Sequence, residues 1–383
     1  MIKVRGDKLL LKPEDFKPTS PKFEILGVLN PGAVRLPDGK ILLYVRVIEK
    51  LIKTGDEKYY YSPRYAGHDD FKLVIDRFEK KSVMSGNDFS FDFKNGTKRL
   101  TYISHLRRVI LDSKGFDIIS IEKKPSFYGL KWDAELGVED ARITKIGDTY
   151  YMTYVGLSRK ENVSSYLAIS KDCLHWFRRG IIFGEQDKDC IIFPEKVNGR
   201  YVSFDRPEGG FEFTPPHIWI AYSKDAEYWG KEKAISLFRK DEVIFRSGAG
   251  PPPIKTSKGW LLFFHAVTKQ KRKKGLKDKI KNFLGLYAED LTSDYAPEDC
   301  YSVWAGLFDL KNPSKLILRS EKPILVPKKK REISFEGKKV IFPTGIIEDG
   351  EYVLLYCGIG DVYVSVKKIK LRDVLDSLEK VRI

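Results

Sequence analysis

A single hairpin pattern returns five times along this chain and limits what it can fold into. Asn30-Pro31-Gly32-Ala33-Val34 leads through a turn at Asp38-Gly39 into an apolar run over 41–47. The same order recurs over 140–144, Gly147-Asp148 and 150–155, and again over 193–197, Asn198-Gly199 and 201–204. A fourth copy spans 253–256, Lys258-Gly259 and 260–264; a fifth spans 342–347, Asp349-Gly350 and 352–356. A short strand, a glycine-bearing turn and an apolar return strand make a β-hairpin. Repeats built only of strand and turn stack as blades, so the pattern predicts an all-β, five-bladed β-propeller. One domain over 1–383 is expected, interrupted by insertions at about 48–100 and 269–299. Helix is expected only near the C-terminus, where Leu371, Val374, Leu375 and Leu378 share one helical face.

Later parts of the repeats echo too. Ser170-Lys171-Asp172 is followed by Trp176, and Ser223-Lys224-Asp225 by Trp229, which reads as a side-chain-capped turn with a tryptophan packed between sheets. In the first insertion, Tyr59-Tyr60-Tyr61 precedes His68-Asp69-Asp70. Three adjacent side chains on an extended loop cannot all face one ion, so no metal is expected there. The second insertion opens with Lys271-Arg272-Lys273-Lys274 and then spaces Leu276, Ile280, Phe283 and Leu284 at helical intervals. It reads as a solvated charge run with a small packed helix, the alternative being a lid or a subunit contact in a homo-oligomer.

The balance of 69 basic against 53 acidic residues gives a net charge of +16, which suits anionic substrates as well as it suits nucleic acid. No nucleic-acid-binding signature accompanies that charge, so no such partner is expected. The four cysteines Cys173, Cys190, Cys300 and Cys357 form no C-x-x-C pair, which argues against a zinc ribbon and a disulfide framework. No apolar run is long enough to cross a bilayer. A cytoplasmic protein with no membrane partner is the expectation.

In a propeller the first strand of each blade lines a central channel, so residues far apart in sequence converge there. The converging set holds Asn30, Asp140, Arg142, Glu195 and Lys196, joined from neighbouring strand ends by Arg46, Arg206, His265 and Asp361. Acids that move protons and cations that hold an anion are an active-site composition.

Several segments carry a resemblance: 137–142 (Gly-Val-Glu-Asp-Ala-Arg), Lys188-Asp189 with 192–196 (Ile-Phe-Pro-Glu-Lys), Asp205-Arg206-Pro207, 248–254 (Gly-Ala-Gly-Pro-Pro-Pro-Ile), 259–265, and 356–361 (Tyr-Cys-Gly-Ile-Gly-Asp). In their order they resemble glycoside hydrolase family 130, which comprises β-mannoside phosphorylases and some β-mannosidases on five-bladed propellers. The resemblance implies that Asp140 is the essential acid, its proton passing to the leaving oxygen through a hydroxyl of the mannosyl ring. It implies that Lys188, Arg206, Arg246 and His265 grip inorganic phosphate. Asn30, Arg46, Arg142 and Asp361 fall near the sugar, and Asp189 and Glu195 belong with that substrate-binding set. Pro31 departs from the pattern, since a small hydroxyl residue commonly follows the asparagine; proline removes that donor and its own N–H.

Phosphate near neutral pH carries between one and two negative charges, so several cations are needed, and arginine offers a fork matched to its oxygens. Phosphate is itself the nucleophile, whereas an inverting hydrolase needs a second carboxylate to activate water. The expected function is therefore an inverting β-mannoside phosphorylase, a glycosyltransferase-type enzyme acting on short β-1,2- or β-1,4-mannosides to give mannose 1-phosphate. No cofactor is expected beyond inorganic phosphate as co-substrate. Alternatives are an inverting β-mannosidase, with Glu195 as a possible base, and a mannoside-binding protein without catalysis.

Overall fold

The alternation read from the sequence is realised almost wholly as antiparallel sheet. The computed structural model describes residues 2–209, 213–239, 242, 244–271, 295–334 and 337–380. Three four-stranded sheets each run in chain order from a lead strand outward. The first comprises Phe23–Arg35, Ile41–Leu51, Tyr102–Leu111 and Ile118–Ile121. The second comprises Gly137–Ile146, Thr149–Ser158, Asn162–Ser170 and Phe177–Phe183, and the third Asp187–Ile192, Tyr201–Pro207, Trp219–Ser223 and Trp229–Ala234.

Apart from the strands of the first insertion, the remaining strands form one ten-stranded sheet with two antiparallel halves. One half is led by Arg246–Ala249 and Ile254–Thr256, both paired to Gly259–Lys271, and continues through Tyr295–Phe308 to Leu316–Ser320. The other runs from Lys339–Asp349 through Tyr352–Ile359 and Tyr363–Lys370. A short parallel contact, Cys300 with Lys339 and Tyr301 with Val340, joins the halves. The outermost strand of the second half is Val4–Leu11, from the start of the chain, so the last sheet is completed by the first segment. Leu11 and Val364, paired across that seam, are fully buried among Val28, Leu43, Leu354 and Val366.

Lead strands pack on one another around the molecule. Phe23–Arg35 lies against both Lys339–Asp349 and Gly137–Ile146; Gly137–Ile146 lies against Asp187–Ile192, which meets Arg246–Ala249. Gly250 closes the circuit: a Cβ there would stand 3.1 Å from Pro343. Between sheets the core is apolar and aromatic, as with Phe193, Phe204, Trp260, Phe264 and Phe308 between the third sheet and its neighbour. Trp176 fills the same role between the first two sheets. Its indole N–H donates to the Tyr44 hydroxyl at 2.8 Å. The Ser170 hydroxyl accepts the Cys173 N–H at 2.9 Å, and Ser223 accepts Ala226 at 2.8 Å, giving the two capped turns the sequence pattern implied.

Three expectations change. In the third repeat the lead strand is Asp187–Ile192, six residues earlier than the hairpin pattern placed it, and most of 193–197 is a loop around Pro194. Proline has no N–H to give to a ladder, and here it ends the strand. The C-terminal helix is Leu371–Asp376, and Leu378 instead pairs in extended form with Ser320. The first insertion holds strands the sequence pattern did not place: Tyr59–Tyr65 pairs with Leu73–Glu79, with His68-Asp69-Asp70 in the loop between them, and Val83–Gly86, Ser90–Phe93 and Lys98–Leu100 form a small three-stranded sheet. The amphipathic segment expected over 276–284 lies outside the described residues. None of the helices among them is long and apolar enough to cross a membrane.

Truncating a fully buried leucine removes contacts and leaves a cavity, costing about 2–5 kcal/mol. Leu11→Ala is expected to destabilise the protein by that amount and to lower its melting temperature, as read by thermal or denaturant unfolding, because Leu11 seals the seam between chain start and last sheet.

Candidate active site

Three lead strands carry the same local distortion. Pairing slips between Leu29 and Gly32, between Glu139 and Arg142, and between Lys188 and Ile191. Each slip is a β-bulge, and each holds one polar residue in the left-handed region: Asn30 at φ 47°, Asp140 at φ 50° and Asp189 at φ 56°. Asn and Asp tolerate that conformation better than other non-glycine residues, because their short polar side chains can bond locally. A bulge re-aims the side chain it carries. Here the three bulges turn an amide and two carboxylates toward one cavity of about 280 Å³, lined also by Arg46, Lys188, Arg206, Arg246, Phe342 and Asp361.

On one side of the cavity stands Asp140. Its Oδ1 accepts from Asn30 Nδ2 at 3.0 Å and from Arg46 Nη1 at 3.1 Å, and the second Arg46 nitrogen reaches Glu139 at 2.5 Å. Burial works against the Arg46 charge, but Glu139 and then Asp140 outweigh it, and its pKa is raised. Asn30 is packed against Gly358 so closely that a Cβ there would fall 2.0 Å from Asn30 Oδ1, so position 358 must be glycine for Asn30 to lie as it does.

On the other side stand the cations. Arg206 pairs with Asp189 Oδ2 at 2.6 Å and with Glu208 Oε1 at 2.8 Å; Arg246 meets the same Glu208 oxygen at 3.3 Å. Lys188 sits directly across the ladder from Arg206. Asp187 opens the same strand, and its carboxyl pKa is pushed well up by burial and then by the nearby Asp205, so its carboxyl is held toward the neutral form behind the cations.

Arg142 joins the two sides. Its Nη1 donates to the Asp140 carbonyl oxygen at 2.8 Å and its Nη2 to Asp189 Oδ1 at 3.1 Å, while its guanidinium lies 5.7 Å from the centroid of the Phe342 ring. Asp189 is 3 % exposed. Burial raises the pKa of its carboxyl, but Arg206, His265, Arg142 and Lys188 together hold it well below the usual carboxylate range. Gly248 makes room for this cluster: a Cβ there would stand 2.2 Å from Asp189 Oδ2 and 2.5 Å from the His265 ring.

Of the expected residues, Asn30, Arg46, Asp140, Lys188, Asp189, Arg206, Arg246 and Asp361 line the cavity together. Arg142 does not line it; fully buried, it acts as a strut between Asp140 and Asp189. His265 is buried behind Arg206, with Nε2 3.2 Å from Arg206 Nη1, and burial brings its pKa down to about 3. The fourth cation is thus a neutral imidazole. Glu195 is displaced altogether. It sits on the loop after the shifted lead strand, half exposed, and pairs with Lys255 at 2.7 Å. Lys196 faces the Tyr201 ring from 4.3 Å. Residues at the site that were not among those expected to converge there are Glu208, Tyr301, Lys338 and Phe342. Phe342 alone was legible, as the first residue of the fifth copy.

The sequence model of glycoside hydrolase family 130, described as β-1,4-mannooligosaccharide phosphorylase, matches residues 111–380. The chain is 30% identical over 387 residues to a β-1,2-mannobiose phosphorylase of Listeria innocua, covering 97% of this chain and 96% of that protein. It is 33% identical over 241 residues to a 1,2-β-oligomannan phosphorylase of a Thermoanaerobacter species, covering 62% of this chain and 70% of the other. The solved structure of a β-1,2-mannobiose phosphorylase from Listeria innocua in complex with β-1,2-mannobiose superposes with a TM-score of 0.78 at 28% identity, over 96% of each chain.

Removing one partner of a buried ion pair costs about 3–5 kcal/mol because the other charge is stranded. Asp189→Asn strands parts of both Arg142 and Arg206, so a loss of that size at neutral pH is expected in denaturant unfolding. His265 supplies a pH test. Its folded pKa lies below the ordinary 6.5, so between pH 6.5 and about 3 the unfolded chain holds a proton that the folded chain does not. The His265 contribution to stability should therefore fall as pH drops through that window, against the opposite contribution of buried carboxyls such as Asp187 and Asp205, whose pKa values are raised. His265→Gln should flatten part of the decline, leaving the share that buried His105, shifted in the same direction, contributes.

Proposed function

Because this chain belongs to glycoside hydrolase family 130, we propose that it is an inverting β-mannoside phosphorylase that converts short β-mannosides and inorganic phosphate into mannose 1-phosphate. One observation carries the reading beyond the family. Three permanent cations, Lys188, Arg206 and Arg246, line the cavity that also holds Asp140. Such a cluster seats a multiply charged oxyanion through charge-assisted hydrogen bonds. Water, the co-substrate of a hydrolase, has no use for it.

The sugar lies between the two sides, near Asn30, Arg46 and Asp361. A phosphate oxygen attacks the anomeric carbon from the cation side as the bond to the leaving oxygen breaks on the opposite face, so a β-mannoside yields the α-configured phosphate. The leaving oxygen takes a proton from a mannosyl hydroxyl, which regains one from Asp140. Arg46 and Asn30 both hold Oδ1. Oδ2 is therefore the oxygen left to carry the proton, and the carboxylate produced keeps two donors already in place. No cofactor is needed. Full-length similarity to an enzyme named for β-1,2-mannobiose favours the β-1,2 linkage over β-1,4.

The hydrolytic alternative needs a second carboxylate facing a water in the cavity. Glu195 lies away from it on Lys255, Asp189 is committed to two arginines, and the remaining lining carboxylate besides Asp140, Asp361, is assigned here to the sugar. On the same reading the sheets are five blades of one propeller domain: the three four-stranded sheets and the two halves of the ten-stranded one. All four cysteines are unpaired, which suits a reducing cytoplasm.

With β-1,2- or β-1,4-mannobiose, mannose 1-phosphate should form only when phosphate is supplied. Asp140→Asn should lower kcat by roughly 10²–10⁴, the usual worth of a positioned general acid. Release of free mannose at the same rate without phosphate would show hydrolysis instead.

A further inference from the structure

Two arginines side by side repel each other, and an anion site that depends on both must hold them together when it is empty. Glu208 bridges the two. Glu208 Oε1 is 2.8 Å from Arg206 Nη2 and 3.3 Å from Arg246 Nη1, so one carboxylate oxygen spans both guanidiniums. That oxygen is shut off from solvent. Both arginines line the cavity, and Glu208 is not among its lining residues. The carboxylate thus meets both guanidiniums without itself lining the cavity that they line.

We propose that Glu208 is a positioning residue of the phosphate site: it clamps Arg206 and Arg246 side by side, so that phosphate meets a preformed pair of forks. The inference rests on the phosphorylase reading above. Its physical basis is preorganisation, since the cost of gathering two long cationic side chains is met by the fold before the anion arrives. The strands explain why a clamp is required. Arg206 is fixed by the ladder of the third sheet and by Asp189, whereas Arg246 enters from the next sheet and is 39% exposed at its side chain. Burial disfavours the charge on Arg206, but Asp189 and then Glu208 more than offset it, and its pKa is raised.

The sign of the effect separates a clamp from a competitor. Removing a negative charge makes the site more positive, so if Glu208 merely competed with phosphate, Glu208→Gln would tighten phosphate. If Glu208 positions the pair, the same change loosens it. We expect Glu208→Gln and Glu208→Ala to raise the KM for inorganic phosphate roughly tenfold or more, the worth of a charge-assisted contact, with the KM for mannobiose changed less than twofold. Combined with Arg246→Ala, Glu208→Gln should add much less than its effect alone, because the arginine that needs the clamp is already gone while Arg206 stays fixed by its ladder and by Asp189. A phosphate KM that is unchanged or lower in Glu208→Gln, or additive effects in the double variant, overturns the inference. If one variant fails to fold, calorimetric titration of phosphate into the other decides. Failure of the wild-type enzyme to require phosphate would instead remove the phosphorylase reading, and this proposal with it.

Discussion

The site depends on one buried carboxylate. Asp189 receives Arg142 on one oxygen and Arg206 on the other, and through them it ties the wall that carries Asp140 to the wall that carries the cations. Isolated, any of these charges would be costly at such depth; two cations on one anion, each with a further partner, make the arrangement tolerable. Arg142 is completed by the Asp140 carbonyl and Arg206 by Glu208. The distance between acid and anion site is thereby set by rigid ion pairs on lead strands, not by loops, which is where precise geometry is best held.

Backbone distortion makes the convergence possible. In a regular strand, alternate side chains leave on opposite faces, and the polar residue of each lead strand would not be free to turn toward the common cavity. Bulges at Asn30, Asp140 and Asp189 supply that turn, at the cost of left-handed backbone at three non-glycine positions. The strain is stored where it does chemical work. Glycines 248 and 358 then accept the turned side chains at distances no Cβ would allow.

Much of this was legible in the sequence because period and turn chemistry survive without coordinates. The hairpins at Asp38-Gly39, Gly147-Asp148 and Asp349-Gly350 fall where the pattern put them, and the residues opening the first, second and fifth copies lie at the lead strands. The third copy misled because Phe193 continues the apolar pattern past the true end of the strand; only Pro194 signalled the stop. That error carried Glu195 into the expected site and hid the equivalence of Asp189 with Asn30 and Asp140. A bulge leaves no composition signal, so the special standing of Asn30, Asp140 and Asp189 could be seen only in the pairing. The charge state of His265 was equally hidden, because depth of burial decides it and one sequence does not report depth. Glu208 follows Arg206-Pro207 in the chain and could have been suspected from that adjacency; its link to Arg246, in another sheet, could not.

The Arg142–Asp189–Arg206 chain ties the acid, Asp140, to the anion-binding cations. A crystal structure of the protein soaked with inorganic phosphate tests this most directly. Phosphate is expected within hydrogen-bond distance of Arg206, Arg246 and Lys188, on the side of the cavity away from Asp140, with the Asp189 pairs intact. Phosphate bound against Asp140, or bound only after Asp189 has released Arg206, would contradict it.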